Sequence, residues 1–443
     1  MPPLPPSAPP ANTVTHRSER WLVLSHDFNM DGRAASLTIT DKIPHLAALG
    51  IEPVVISATT GNPYSGITHF QLLPWGPSAL RFDLRHVIAN RIGRGLRYRL
   101  LTLLVSGVLA PFMLLERLFI GLRSQWSWAL PAYWHAARLL KRQRFDLVYT
   151  TGGAYSAHLA GYWLRWQLGC RWIAEVHDPM VVPGQTPATR DARMLAWIER
   201  KICESTDLAW WFTDNALASA RTRHPALAQR GITVLPGADP PLLRVAYTRG
   251  EVFTIGHFGS LSTTRSLAPA VQALGRLVAA TPALRSIIRL EVYGGAVDPE
   301  ARRLIESLGL ADVVKEMGRL EQDPVSGRSG RERVIERMQQ VDVLLLMHGT
   351  LPDCAEYIPS KLYDYFWGRR PVLALTHQNP QLDALVREHG GRAVATTDIA
   401  AVERTLLELV GLWRTDSLPD VTQPPITVAL AVGKIVEAVR RAY

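Results

Sequence analysis

The chain of 443 residues, 47% hydrophobic and 20% charged, is too long for one ordinary core and too apolar for a disordered polypeptide. Lys and Arg number 49 against 39 Asp and Glu, a net charge of +10. The three cysteines, Cys170, Cys203 and Cys354, form no Cys-x-x-Cys, which argues against a disulfide scaffold or structural zinc and fits a reducing compartment.

Segment 1–20 is proline-rich, with no basic start and no continuous apolar core, so it reads as a disordered lead-in rather than a signal peptide. Strands are predicted at 21–25 and 53–57, with a helix over 34–49 between them. Further on, 146–151, 171–176, 208–213 and 233–235 read as strands and 155–168 as a helix. Residues 244–251 read as a linker. Strands restart at 253–258, 287–293, 341–347 and 372–375, with helices over 267–280, 299–308 and 331–340 and a loop at 321–330. The last helix, 428–442, is amphipathic. Strands alternating with helices imply α/β domains whose parallel sheets are covered on both faces.

The insert at 81–145 holds twelve Lys or Arg and two Asp or Glu, so the chain's whole basic excess lies there. It also contains sixteen uncharged residues, 100–115, preceded by Arg91, Arg94, Arg97 and Arg99. A transmembrane helix needs about 20 apolar residues, and Gly107 and Pro111 interrupt this run. A buried helical hairpin and an interfacial segment compete for it. Basic and apolar residues together favour the interfacial one, on an anionic membrane surface. Nucleic acid would also suit basic charge, but no nucleic-acid-binding module accompanies it.

Polar residues collect where predicted strands end, at Ser25-His26-Asp27, His177-Asp178, Thr213-Asp214, His257-Phe258-Gly259 and Tyr293-Gly294. Ligands of open α/β sheets bind at those ends. Asp214 and Asp239 read as caps of helices or turns. Most informative is Glu356-Tyr-Ile-Pro-Ser-Lys361-Leu-Tyr-Asp364, whose two acids stand eight residues apart. Pro359 suits the first position of a helix and Gly368 its C-terminal cap. The free N–H groups of the first turn, with Lys361, would attract phosphate. Glu356 would then grip a hexose hydroxyl and Asp364 a ribose hydroxyl, with a diphosphate between them.

This stretch resembles the Glu-x7-Glu region of the retaining, GT-B-fold glycosyltransferases of family four, with Asp364 in place of the second Glu. The resemblance runs from Trp21 to the C-terminus, weakly between Gln71 and Trp134. It implies two Rossmann-like domains facing across a cleft: an acceptor-side domain at 21–245 carrying the insert, and a nucleotide-sugar-binding domain at 246–427. It also implies that the helix at 428–443 crosses back onto the first domain. The stretch Gly256-His-Phe-Gly-Ser-Leu-Ser-Thr-Thr-Arg265 resembles the family's phosphate-gripping strand and loop, which implies Arg265 on the diphosphate, beside Gly259, at the start of a helix. In Asp31-Gly32-Arg33 the resemblance places Gly32 where backbone approaches the diphosphate. His177-Asp178 resembles the family's His or Arg before Asp, placed to bind the donor sugar or orient the acceptor.

The sequence has no Asp-x-Asp, so fixed cations and a helix dipole, rather than a metal, are expected to stabilise the leaving diphosphate. The chain therefore reads as a retaining, metal-independent glycosyltransferase with no cofactor beyond its donor, a nucleoside diphosphate sugar. Glu356 and His177 are its candidate catalytic residues, and Gly32, Gly259, Arg265, Lys361 and Asp364 bind the donor. The acceptor is expected to be a glycan or polyprenyl-linked saccharide of cell-surface glycan biosynthesis, and the protein to be cytoplasmic and peripheral at the inner face of the membrane. A nucleotide-sugar epimerase on the same fold and a non-catalytic GT-B-like partner are the competing readings.

Overall fold

The computed structural model describes residues 19–442 apart from Asp31, Arg94, Asp420 and Thr422; most of the proline-rich lead-in, 1–18, and Tyr443 lie outside the described residues. The first sheet is built on β1 (Glu19–Ser25), an apolar run buried from Trp21 onward because helices cover both its faces. After it come α1 (Ala34–Thr40), α2 (Lys42–Ala48), β2 (Ile51–Ala58), β3 (Thr68–Leu72), α3 (Pro77–Ile92), α4 (Leu96–Phe119) and α5 (Ala129–Arg142). The unit continues through β4 (Leu147–Gly152), α6 (Tyr155–Leu168), β5 (Trp172–Val176), α7 (Arg190–Ser205), β6 (Leu208–Trp211), α8 (Asp214–Arg223) and β7 (Gly231–Thr233). Its seven strands are parallel in the order β3-β2-β1-β4-β5-β6-β7. Strand order reverses between β1 and β4, so a crevice opens at their carboxyl ends, where Ser25 lies beside Thr151.

The second sheet contains β8 (Phe253–Gly259), α9 (Ala268–Ala280), β9 (Ile288–Gly294), α10 (Pro299–Ser307), β10 (Val314–Gly318), α11 (Gly330–Gln340) and β11 (Val343–Met347). It ends with α12 (Lys361–Gly368), β12 (Val372–Thr376), α13 (Pro380–Glu388), β13 (Arg392–Ala395) and α14 (Ile399–Arg414). Its six parallel strands run β10-β9-β8-β11-β12-β13, with the reversal between β8 and β11. Two doubly covered parallel sheets of this kind form the GT-B fold.

The last helix, α15 (Val428–Ala442), returns to the first sheet. Its buried residues Val428, Ala431, Val432, Ile435, Val436 and Val439 recur at three- and four-residue steps and join the cluster of Trp21, Val23 and Trp210. Arg440 pairs with Glu19 at 2.9 Å. Ile435→Ala is expected to destabilise this cluster by about 2–5 kcal/mol. Urea unfolding followed by the fluorescence of the buried Trp21 and Trp210 checks it.

Several local expectations shift. The helix expected over 34–49 breaks at Asp41, which closes α1 and precedes α2. Pro44, in the first turn of α2, offers no N–H and its ring crowds the carbonyl of Thr40, which favours the break here, although α4 tolerates Pro111. The last strand of the first sheet is Gly231–Thr233, two residues earlier than predicted. The helix near the two acids starts at Lys361, not at Pro359, and Arg369 (φ 55°) rather than Gly368 holds the left-handed closing position. Gly368 is needed for close packing instead: a Cβ there would stand 3.0 Å from Leu344 Cδ1 and 3.2 Å from the Met338 carbonyl oxygen. α4 runs unbroken through Gly107 and Pro111 and lies on the surface, so the buried-hairpin alternative is overturned.

Candidate active site in the interdomain cleft

The second domain contributes a corner of cations. β8 and β11 pair at Ile255–Val343 and Gly256–Leu344 and then part. Between them sits the Tyr365 hydroxyl, which accepts from the Phe258 N–H at 3.1 Å and donates to the Leu345 carbonyl at 3.1 Å. Tyr365 thereby wedges α12 against the end of β8. Lys361, in the first turn of α12, reaches over Gly259 (φ 140°), and a Cβ at Gly259 would lie 1.6 Å from Lys361 Nζ. Only glycine permits both that backbone and that approach.

Arg265 does not begin a helix. It closes a tight turn with Ser262, whose carbonyl accepts its N–H at 3.0 Å, three residues before α9. Its Nη2 donates to Tyr357 OH at 3.4 Å, and its buried Nε has no partner among the described residues. Burial, with the Arg265 charge adding to it, pushes Lys361 down to about 8, against the weaker pull of Asp364. Among the described residues Lys361 makes no hydrogen bond or ion pair. Two cations held together in this way form a site that an anion would stabilise. His257, behind them, bonds the Leu345 carbonyl through Nδ1 at 3.0 Å and is pushed down to about 4 by burial and by Lys361, so it is neutral.

Asp364 is half-buried on α12; burial raises it to about 6, offset in part by Arg331 and Lys361. Arg331 also crosses the cleft to Asp41 of the first domain, at 2.8 and 3.1 Å. The structure thus brings Gly259, Arg265, Lys361 and Asp364 together. Glu356 is held instead against the first domain. It ends a short turn, Pro352–Glu356, and faces α8, where Ser219 Oγ donates to its Oε1. Its carbonyl accepts from Thr213 Oγ1 at 2.6 Å, and Ala355's from Asn215 Nδ2 at 3.0 Å. Its other oxygen, Oε2, is buried and has no partner among the described residues. Asp214 exchanges bonds with Gln381 across the same seam, its N–H donating at 2.9 Å. Asp239 pairs with His45 of α2 at 2.9 Å.

On the first domain, Gly32 is left-handed (φ 72°), and a Cβ there would come within 2.5 Å of Arg319 Nη2 from the second. His177 follows β5. Its Nε2 is 3.0 Å from Thr151 Oγ1 and 3.6 Å from Glu175 Oε2, and its ring lies 4.9 Å from that of Phe212. Behind it is a fully buried network that the sequence reading missed. Glu175 accepts from Lys42 Nζ, from Tyr149 OH and, at 2.5 Å, from Thr151 Oγ1. Burial alone would push Glu175 up, but Lys42 and His177 outweigh it and hold the carboxyl well below the usual range. The available signal was a lone acid in the apolar strand Trp172–Val176 and a lysine beside Ile43 and Leu46 on the inner face of α2. Among the described residues, no group of three or more His, Cys, Asp or Glu is arranged to hold a metal ion.

No family model matches the chain, and no curated protein matches it in sequence. Solved structures do. HepE of Anabaena, in complex with UDP-glucose, superposes with a TM-score of 0.59 at 14% identity over 95% of this chain and 99% of that one. Sucrose-phosphate synthase from Thermosynechococcus elongatus gives 0.57 at 15% identity, over 96% of this chain and all 100% of the other. A G117R mutant of TarM from S. aureus, in complex with Fondaparinux, alpha-GlcNAc-glycerol and UDP, gives 0.56 at 10% identity, over 96% and 97%. The chain shares the whole two-domain architecture of these proteins.

Proposed function

We propose that this chain is a retaining, metal-independent glycosyltransferase. It moves a sugar from a nucleoside diphosphate sugar to a lipid-linked or polysaccharide acceptor of cell-surface glycan assembly, at the inner face of the membrane. The observation that carries the reading is the neighbouring pair Lys361 and Arg265 at Gly259, with no carboxylate among the described residues bonded to Lys361. A diphosphate seated there relieves their repulsion. As the glycosidic bond breaks, charge grows on that diphosphate, where the two cations and the first turn of α12 stabilise it. Gly32 lets the first domain's backbone close on the same group. Asp364 holds a ribose hydroxyl, and Glu356 a hexose hydroxyl through its unpartnered Oε2. His177, aimed by Thr151 and Glu175, orients the acceptor. The acceptor hydroxyl attacks on the face the diphosphate leaves and gives its proton to the departing phosphate oxygen, so no side chain attacks the sugar. The likeness to HepE with UDP-glucose and TarM with UDP supports a uridine diphosphate donor.

A thermal-shift series with nucleoside diphosphates tests this. UDP is expected to raise the melting temperature, and Lys361→Ala to remove most of the rise. Equal rises in wild type, Lys361→Ala and Arg265→Ala would overturn the assignment. The pH dependence is also fixed in sign. Lys361 in the free protein loses its proton through about 8, so UDP binding is expected to weaken as pH rises past that value. Binding above it should take up a proton, read by calorimetry in two buffers of different ionisation enthalpy. An epimerase would need no acceptor; NMR of a free nucleotide sugar showing epimer formation without transfer would identify one.

A further inference from the structure

We infer that α4 is a membrane-docking element that lies flat in the surface of an anionic phospholipid bilayer, leucines among the acyl chains and flanking arginines on the headgroups. The inference deepens the reading of a membrane-bound acceptor, but its own support is the insert alone.

α4 spans 24 residues, with a mean hydropathy of 1.8 over its most apolar stretch and none of that stretch buried. Its polar side chains do not face water. Toward the protein it turns Thr102, Ser106 and Glu116, with Val105, Leu109 and Met113 half-buried among them. Ser106 Oγ accepts from Arg81 Nε of α3 at 2.8 Å, and Glu116 accepts from Ser78 N and Trp126 Nε1, each at 2.9 Å. Outward it turns Leu103, Leu104, Val108, Leu118 and Phe119, all between 62% and 76% exposed. A helix facing water buries leucine before glutamate. Here the polar stripe is satisfied by the protein and the apolar face has no protein cover.

Charge selects the occupant. The basic excess of the chain is confined to 81–145, and Arg91, Arg97, Arg99 and Arg117 at the two ends of the apolar face are exposed. A second copy packed on this face would set those arginines against their own kind, whereas anionic headgroups pair with them.

Topology excludes a crossing. β1 pairs with β2, which precedes the helix, and with β4, which follows it. A single passage would place parts of one sheet on opposite sides of the bilayer. A return through α3 would bury Arg81, Asp83 and Arg85 in hydrocarbon. The helix therefore lies in the interface. α3 fixes where: Thr59, just past the end of β2, donates to Asp83 at 3.4 Å. The bilayer then adjoins the carboxyl edge of the first sheet, on which the crevice opens.

The test uses the full chain and flotation with vesicles of phosphatidylcholine alone or mixed equally with phosphatidylglycerol. Wild type is expected to float with the mixed vesicles and far less with phosphatidylcholine alone. Leu103→Ser/Leu104→Ser/Val108→Ser should lose about a hundredfold in partition. Arg97→Ser/Arg99→Ser should lose about tenfold, together with most of the salt dependence. The UDP-induced thermal shift should be unchanged in both, which separates this surface from the donor site. Equal flotation of the triple variant and wild type overturns the proposal. So does a wild type that fails to float but sediments as a dimer that the triple change dissolves.

Discussion

Glu356→Gln is expected to lower turnover by about a hundredfold or more while leaving the melting temperature close to wild type. The substitution keeps the shape and the acceptor for Ser219 Oγ, and the main-chain bonds from Thr213 and Asn215 to this turn do not involve the side chain. What changes is the charge at Oε2, a buried acceptor for which the described residues supply no donor. Such an atom is costly to hold unless something binds it during function. Burial already raises this carboxyl, Ser219 and Arg223 resist the rise, and Glu199 and Asp353 add to it. On the proposed function, a sugar hydroxyl donating to Oε2 would complete the set. Steady-state transfer and thermal denaturation of the variant decide the matter, with UDP binding as a control because Lys361 and Arg265 are untouched. Near-normal kcat would remove Glu356 from the site.

Lys42→Met should cost about 3–5 kcal/mol of stability at neutral pH, because it leaves a buried carboxylate with neutral donors only. Lys42 and Glu175 are 1% and 0% exposed, so water does not replace the lost partner. The direction with pH follows from linkage. Glu175 has a folded pKa below that of the unfolded chain, so its contribution is complete above the ordinary glutamate range and is lost as pH falls. The gap between wild type and variant should be widest above about pH 5 and narrow below it, where glutamate ordinarily takes up its proton near about 4.3. Urea unfolding at neutral and acid pH measures both. A loss under about 1 kcal/mol at neutral pH would mean that the pair is solvated.

The elements that the sequence revealed are those whose own pattern suffices. Tyr155–Leu168 and Val428–Ala442 stand where their periodicity and flanking residues put them. So do the buried runs of β8 and β11, to within two residues. β3, β10 and β13 are short and only partly buried strands at or near sheet edges, and their residues carry no alternation to read. At the site, glycine, lysine and acid spacing pointed to the corner of Gly259, Lys361 and Asp364, which the fold assembles from one strand end and one helix. The wedge of Tyr365 against Phe258 joins residues 107 positions apart, and the contact of Thr151 with His177 joins residues 26 apart, so no local pattern announces either. Glu356 stood out in the sequence as a candidate, but its partner Ser219 lies 137 positions away and could not be read there.

Because α15 seals the first domain after the second sheet has been made, Phe253–Arg414 is topologically a guest inserted into its host. During synthesis the host remains incomplete, its Trp21 and Val23 side uncovered, until Val428–Ala442 leaves the ribosome. The guest sheet, made of segments adjacent in sequence, can close first. Two chain crossings then tie guest to host, which restrains sliding between them and leaves rotation about the line through both crossings as the easy motion for loading and discharging the cleft.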